Sequence, residues 1–287
     1  MNRNTISSVT PAQAESSRQA WDRIAPGYDR TNTPTQMWLA AEGLKRIRLR
    51  AGMSFLDVAA GSGALAIPAA RLGASVTAVD QSPVMFGLLE NRAAAEGLRI
   101  DCHVMDGHAL GFAADSFDAT GSQFGVMLFP DMPIGIREMA RVTRPGGRVL
   151  VIAYGDPREI DFLTLFIQAV RTVRPEFAGP PSDPPPLPFQ LQDPGRLRTE
   201  LLGAGLRNVQ VETIRESTRF AGGAAFWDWI ISSNPIVQEL LEELRLSATE
   251  RETLVRAVEG LVRERANGEG VATLSNPVNV GVGVRVE

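Results

Sequence analysis

Ser54-Phe55-Leu56-Asp57-Val58-Ala59-Ala60-Gly61-Ser62-Gly63 is the stretch on which the fold turns. Ser54 to Val58 is short and almost continuously apolar, as a strand buried on both faces must be. Gly61-Ser62-Gly63 follows as a turn, and Ala64 to Leu72 reads as a helix. Glycines in a strand-to-helix turn let backbone approach a ligand closely, and the helix N-terminus favours an anionic group.

Moving outward, the same alternation repeats. Ser75 to Val79 predicts a second buried strand that closes at Asp80, and Pro83 suits the first turn of a helix running to about Glu96. Leu98 to Met105 and Phe117 to Ser122 predict strands three and four. Pro133 to Val142 predicts a helix closed by a Pro145-Gly146-Gly147 turn, with strand five from Arg148 to Tyr154. Strands alternating with helices of this length imply a right-handed, parallel, doubly wound sheet.

Upstream, residues 1–11 are polar and read as disordered. A helix starts near Pro11, with Trp21, Ile24 and Tyr28 on one side, and a second runs from about Thr35 to Arg50. Downstream, Ile160 to Val173 predicts a helix. Pro175 to Pro194, with Pro184-Pro185-Pro186 inside it, predicts a stiff loop without secondary structure of its own. Pro194 to Ala204 predicts a helix, and Val209 to Ile214 a sixth strand. Ala224 to Arg265 predicts two or three amphipathic helices, broken at Asn234-Pro235 and Ser247. Val278 to Val286 alternates and predicts a final edge strand.

The fold class is therefore α/β: a doubly wound parallel sheet with helical cap insertions, which the family resemblance carried by residues 20–155 completes as a Rossmann-like seven-stranded sheet, six strands parallel and the last antiparallel. Residues 1–50 form an N-terminal helical arm and 51–155 the nucleotide-binding core. Residues 156–218 hold the Pro-rich lid loop, a helix and the sixth strand, 219–270 a helical insertion, and 271–287 the final strand. The insertion is either a cap over the substrate or a homodimer interface.

The 287 residues are 44% hydrophobic, enough for a substantial core. A net charge of −4 and a pI near 5.4 give no positive field for nucleic acid. Cys102 is the only cysteine, which excludes an internal disulfide and a thiolate metal cluster, and its apolar surroundings point to an inert buried thiol. No metal site is indicated. A polar N-terminus without an apolar signal core, and no apolar run of spanning length, predict a cytoplasmic protein that does not enter the membrane.

Asp80 closes the strand after the glycine turn, where a carboxylate accepts from both hydroxyls of an adenosine ribose. Gly61-Ser62-Gly63-Ala64-Leu65-Ala66 also satisfies the dinucleotide fingerprint, and Gly61 to Asp80 is close to the spacing expected for NAD. These two signals define an adenosine-containing cofactor without choosing among them.

A further set of segments narrows the choice. Phe55-Leu56-Asp57-Val58-Ala59-Ala60-Gly61-Ser62-Gly63 resembles motif I of the class I S-adenosylmethionine (AdoMet)-dependent methyltransferases, and Val79-Asp80-Gln81-Ser82-Pro83-Val84-Met85 resembles their second motif. Asp106 to Phe112, Asp115-Ser116-Phe117-Asp118 and Met139 to Gly147 are similar to the family's later segments. Trp21 to Asp29 looks like the N-terminal arm of the ubiquinone/menaquinone-biosynthesis C-methyltransferase branch. The resemblance covers roughly residues 20–155.

The resemblance implies that AdoMet is the cofactor and S-adenosylhomocysteine its product. It places Ala59, Gly61, Ser62 and Gly63 beneath the methionine part and ribose, Asp80 and Gln81 at the ribose, and Met85 on the adenine. Asp106, Gly107 and His108 border the adenine, and Gln123, Phe124 and Tyr28 border the sulfonium. Ala59 stands where many members have glycine.

Methyl transfer from a sulfonium needs an enclosed, aligned site more than covalent help. Tyr28, His108 and Tyr154 are the candidate catalytic residues, with Tyr28 also offering a cation–π face. Asp131 and Asp156 hold similar positions near strand ends. Packing or surface roles compete at each, His108 reads as a cofactor-pocket wall ahead of a base, and His103 has a structural role. Trp227 and Trp229 are candidate acceptor-pocket walls.

The function that follows is methyl transfer to oxygen, nitrogen or carbon of a small-molecule acceptor, with C-methylation of an activated ring favoured by the N-terminal arm. The alternatives are a methyltransferase fold that holds AdoMet structurally and an NAD-dependent oxidoreductase. A nucleic-acid methyltransferase is disfavoured, because Ser122-Gln123-Phe124-Gly125 stands where a base-methylating signature would follow strand four.

Overall fold

The computed structural model describes residues 11–181 and 183–287, so all but one residue of the polar N-terminal segment 1–11 lies outside the described residues. The strands are β1 (Ser54–Val58), β2 (Ser75–Asp80), β3 (Ile100–Val104), β4 (Phe117–Gln123), β5 (Thr143–Tyr154), β6 (Leu206–Phe220) and β7 (Ala272–Arg285). They form one sheet in the order β3-β2-β1-β4-β5-β7-β6. β7 runs antiparallel to both its neighbours, and the other six strands share one direction. Phe55, Leu56 and Val58 of β1 and Val149 to Ala153 of β5 are fully buried, which is why these runs are continuously apolar.

The final strand is not at the edge. β7 lies between β5 and β6, and β6 is the edge strand. The alternating Val-Asn-Val-Gly pattern is compatible with both positions. It is buried here because α7 (Pro194–Gly203) packs directly on it: a side chain at Gly281 would meet Leu197 and Leu201.

Pro145-Gly146-Gly147 is likewise an irregularity within β5. Thr143 pairs with Phe117 and Arg148 with Ala119, so the turn bulges out between them.

Helices α1 (Pro11–Thr31) and α2 (Thr33–Arg46) form the arm. The core helices are α3 (Ala66–Arg71), α4 (Pro83–Ala95) and α5 (Met132–Val142). After β5 comes α6 (Asp161–Val170), and α8 (Gly223–Ser233), α9 (Pro235–Glu243) and α10 (Ala248–Glu264) make up the insertion. Ser247 caps α10 through a reciprocal box with Glu250, the break the sequence predicts.

β6 and β7 outrun the sheet. Residues Arg215–Phe220 pair with Ala272–Pro277 beyond Tyr154, where β5 ends. This hairpin extension and helices α6, α8 and α10 enclose a second apolar core around Phe166, Phe226, Leu254 and Leu274, and Tyr154 packs against both cores.

The Pro-rich segment is not wholly irregular. Leu187–Phe189 forms a 3₁₀ turn, because Phe189 docks into the second core. Gln190 Nε2 donates to the carbonyls of Met127 and Phe129 at 2.9 and 3.0 Å, which ties this loop to the segment after β4.

The arm is fastened to both bodies. Arg92 Nη2 of α4 donates to Asp29 at 2.5 Å, and Ser82 Oγ donates to Asp22 at 2.5 Å. On the other side Gly27 lies so close to α8 that an added Cβ would stand 2.5 Å from the Ser232 carbonyl oxygen. α1 thereby bridges the sheet and the helical insertion within one chain.

Candidate active site

A cavity of ≈ 710 Å³ opens at the carboxyl ends of β1, β2 and β4. This is where open α/β sheets bind ligands. Its walls bring together Tyr28, Ala59, Gly61, Asp80, Gln81, Met85, Asp106, Gly107, His108, Gln123 and Phe124, all singled out from the sequence. Asp131 lines it too.

Ser62 and Gly63 do not line the cavity. Ser62 is buried beneath the turn, sharing a 2.6 Å hydrogen bond with Thr33, and a side chain at Gly63 would press on Ile67 and Leu89. Tyr154 is also outside its walls, stacked behind Phe124 with ring centroids 4.4 Å apart. Trp227 and Trp229 belong to the second core. Asp156 caps a short turn through Arg158, and His103 pairs with Asp101 on the surface. Cys102 is half-buried rather than buried, and desolvation pushes its thiol up to about 11.

The glycine turn is built around Asp80. Its carboxylate accepts from the Gly61 amide at 2.8 Å and the Ser82 amide at 2.9 Å. Burial raises its pKa even so. Gly61 has φ +53, and nothing lies within 4 Å of where its Cβ would stand. The backbone here faces open space.

Ala59 also adopts a left-handed conformation, φ +58. An L-residue with a Cβ is strained there by about 1–2 kcal/mol, while glycine gives back about 0.5–1 kcal/mol through its freer unfolded chain. Ala59→Gly should therefore leave stability unchanged or raise it by up to about 1.5 kcal/mol, with ligand affinity kept. Thermal unfolding checks this. A loss above about 1 kcal/mol would mean that packing of the Ala59 methyl against Gly125 matters more than its backbone strain.

Asp57, at the end of β1, was not among the residues singled out as cofactor-binding, yet it lines the cavity. It is 1% exposed and neither oxygen makes a well-formed hydrogen bond. Burial, and then the nearby Asp80, push its pKa well up, and the facing Ala66 amide only partly opposes this. An orphaned buried carboxyl of this kind is a site for a cationic partner. The strand pattern hides it, because a polar residue inside an apolar strand gives no sign of which side it faces.

At the far wall, the Asp106 carboxylate accepts from the His108 amide at 2.9 Å and pairs with His108 Nδ1 at 2.7 Å. Burial pushes Asp106 up, but the His108 and Gln81 hydrogen bonds outweigh it and hold the carboxyl below its ordinary value. The His108 ring lies against Phe129, 4.6 Å between centroids. Tyr28 donates to Gln36 Oε1 at 3.2 Å, and burial pushes its phenol up to about 12.

The electrostatic character of the cavity is one-sided. Asp57, Asp80, Asp106 and Asp131 line it, and no Lys or Arg does among the described residues. Such walls attract a cation and repel a pyrophosphate. AdoMet fits them: its ammonium suits the orphaned Asp57, its ribose diol the remaining lone pairs of Asp80, and the Gly61 cradle the backbone approach.

Comparison with known proteins agrees. A methyltransferase-domain family model matches residues 56–151. An uncharacterized protein of Mycobacterium tuberculosis is 34% identical over 179 residues, 62% of this chain and 62% of that one. A demethylmenaquinone methyltransferase of Corynebacterium glutamicum is 33% identical over 177 residues, 60% of this chain and 74% of that one. The fold is shared with Haemonchus contortus phosphoethanolamine N-methyltransferase 2, solved in complex with S-adenosyl-L-methionine: TM-score 0.52, 20% identity, 87% of this chain and 52% of that one.

This chain belongs to the class I AdoMet-dependent methyltransferases, in the menaquinone C-methyltransferase-like branch. Its match spans 62% of the length of the mycobacterial relative. No helix among the described residues is long and apolar enough to cross a membrane.

Proposed function

We propose that the protein transfers the methyl group of AdoMet to a small molecule with a hydroxylated, electron-rich ring, by in-line displacement. The observation that carries the donor is the convergence of Asp57, Asp80 and Asp106 on one cavity that no lysine or arginine lines among the described residues. The same charge pattern disfavours NAD, whose pyrophosphate is anionic. The ring acceptor rests on similarity to demethylmenaquinone methyltransferases and on the apolar walls beyond the cofactor cradle, Trp21, Phe124, Leu128, Phe129 and Leu187.

When bound, AdoMet supplies an electrophilic methyl group that needs no covalent activation. The protein's own contribution is then binding, orientation and exclusion of water. Asp80 accepts from the ribose hydroxyls, with Gln81 beside it, and Asp57 accepts from the ammonium. Ala59 and Gly61 give backbone approach, Met85, Gly107 and His108 flank the adenine, and Asp106 reads its amino group. Gln123, Phe124 and Tyr28 border the methyl group, Tyr28 through its aromatic face. The arm and the Leu187 segment close the cavity from the solvent side. The helical insertion acts as a cap, since α1 packs on α8 of the same chain.

Isothermal titration of the purified protein with S-adenosylhomocysteine and with NAD tests the donor. Binding of the first and not the second is expected. Absence of S-adenosylhomocysteine binding would refute the reading. Transfer of radiolabelled methyl to 1,4-naphthoquinol, held reduced, tests the ring acceptor.

A further inference from the structure

Past Tyr28 and Phe124 the interior contains a group that nothing so far employs. Glu216 sits on the extension of β6 beyond the sheet, opposite Asn276 of β7. It is 6% exposed, and its Oε1 accepts from Asn276 Nδ2 at 3.1 Å. No cation pairs with it among the described residues.

Two tyrosines, Tyr28 and Tyr154, stand near it. Glu216 is close enough for its charge to raise the phenols of both Tyr28 and Tyr154. Both are partly exposed, Tyr28 on the cofactor cavity and Tyr154 behind Phe124. Tyr28 thereby places Glu216 beside the cofactor cavity, and Phe124, another of its walls, stacks on Tyr154. Asn276 Oδ1 and Gln123 Oε1 are buried without a hydrogen-bond partner. Glu216, Asn276 and the cavity wall Gln123 thus offer acceptor oxygens with no lysine or arginine paired to them among the described residues, which suits a neutral ligand that donates hydrogen bonds.

We propose that Glu216 is the proton acceptor for the methyl acceptor: a ring hydroxyl enters beside Tyr28 and Phe124, faces Glu216, and gives up its proton to that carboxylate as the ring is methylated. This rests on the methyltransferase reading above. As the proton passes to Glu216, the electron pair of the O–H bond stays on the oxygen and is delocalised onto the ring carbons. A ring carbon or oxygen forms the new bond to the methyl carbon. The methyl–sulfur bond breaks with its pair retained by sulfur. The positive charge of the donor and the negative charge of Glu216 are both discharged, leaving S-adenosylhomocysteine, the methylated acceptor and a neutral carboxyl. On a ring carbon, the hydrogen then leaves and the hydroxyl is regained from solvent.

Asn276 is a positioning residue that fixes the Glu216 rotamer. Desolvation, opposed by the Asn276 bond, brings the carboxyl to about 7, where a base works near neutral pH. The titratable groups facing it from other elements are Tyr28 of α1 and Tyr154 of β5, and both remain protonated in that range.

The test uses the full chain, radiolabelled AdoMet, and two probes: 1,4-naphthoquinol held reduced, and 1-naphthol. In the wild type the transfer rate should rise with pH and level off above about 7. Glu216→Gln should lose about 10²–10⁴-fold in rate together with the pH dependence. Its affinity for S-adenosylhomocysteine should stay within threefold, and Glu216→Asp should fall between.

Infrared spectroscopy adds a readout that needs no turnover. A protonated-carboxyl band should disappear as pH rises through about 7 in the wild type and be missing in Glu216→Gln. Retention of most of the rate or of the pH profile in Glu216→Gln would overturn the proposal. So would failure of the wild type to methylate either probe while it binds S-adenosylhomocysteine. Loss of that binding in the wild type would instead bring down the methyltransferase reading, and this proposal with it.

Discussion

Asp80→Ala should weaken S-adenosylhomocysteine binding by about 10²–10⁴-fold, read by isothermal titration. The carboxylate already holds the Gly61 and Ser82 amides, so its remaining lone pairs are aimed by backbone rather than by a flexible partner. Hydrogen bonds to a charged group contribute about 1.5–3 kcal/mol each, and two ribose hydroxyls give about 3–6 kcal/mol. Asp80→Asn keeps the shape and one acceptor but loses the charge, and should fall between. The Gly61 turn also loses its anchor in Asp80→Ala, so part of the deficit is disorder of the cradle. An affinity within threefold of the wild type would exclude Asp80 from the cofactor site.

Glu216→Gln should remove a pH dependence of stability worth about 3 kcal/mol. Burial holds the carboxyl at about 7 in the folded protein against an ordinary 4.5. A raised acid favours the folded state while it keeps its proton. Below about 4.5 both states are protonated and the contribution is fully present. It is lost as pH rises through about 7, where the folded protein must ionise the group in a desolvated site. The wild type should therefore lose stability between pH 5 and pH 8, and Glu216→Gln should lose about 3 kcal/mol less. Urea unfolding at the two pH values measures the difference. Asp57 and Asp80, raised in the same direction, leave a residual slope in both proteins. Identical slopes would show that Glu216 ionises freely in the fold.

The site was partly legible. Asp80, Gly61, Met85, Asp106 and His108 lie at the end of a strand, on the turn after one or in the first turn of the next helix, where sequence order places residues together because parallel strands all end on one edge. Asp57 and Glu216 escaped notice for a shared reason: each is a carboxylate within a strand, and its role follows from what faces it across the chain. Glu216 in particular stands between Arg215 and Ser217 in a polar run that resembles a solvated edge. Pairing with residues Ala272–Pro277, and the cover of the second core, are what bury it.

From the sequence alone came the alternation of apolar strands with helices, the glycine turn and the carboxylate at the next strand's end. These are local, since burial on both faces and a tight turn each leave a mark within a few residues. The position of β7 between β5 and β6, the strand pair that outruns the sheet, the bulge in β5 and the burial of Glu216 were decided only by tertiary structure. An alternating strand carries the same pattern at an edge as beside a closely packed helix. Burial of a lone carboxyl depends on partners 60 residues away along the chain, which no local pattern encodes.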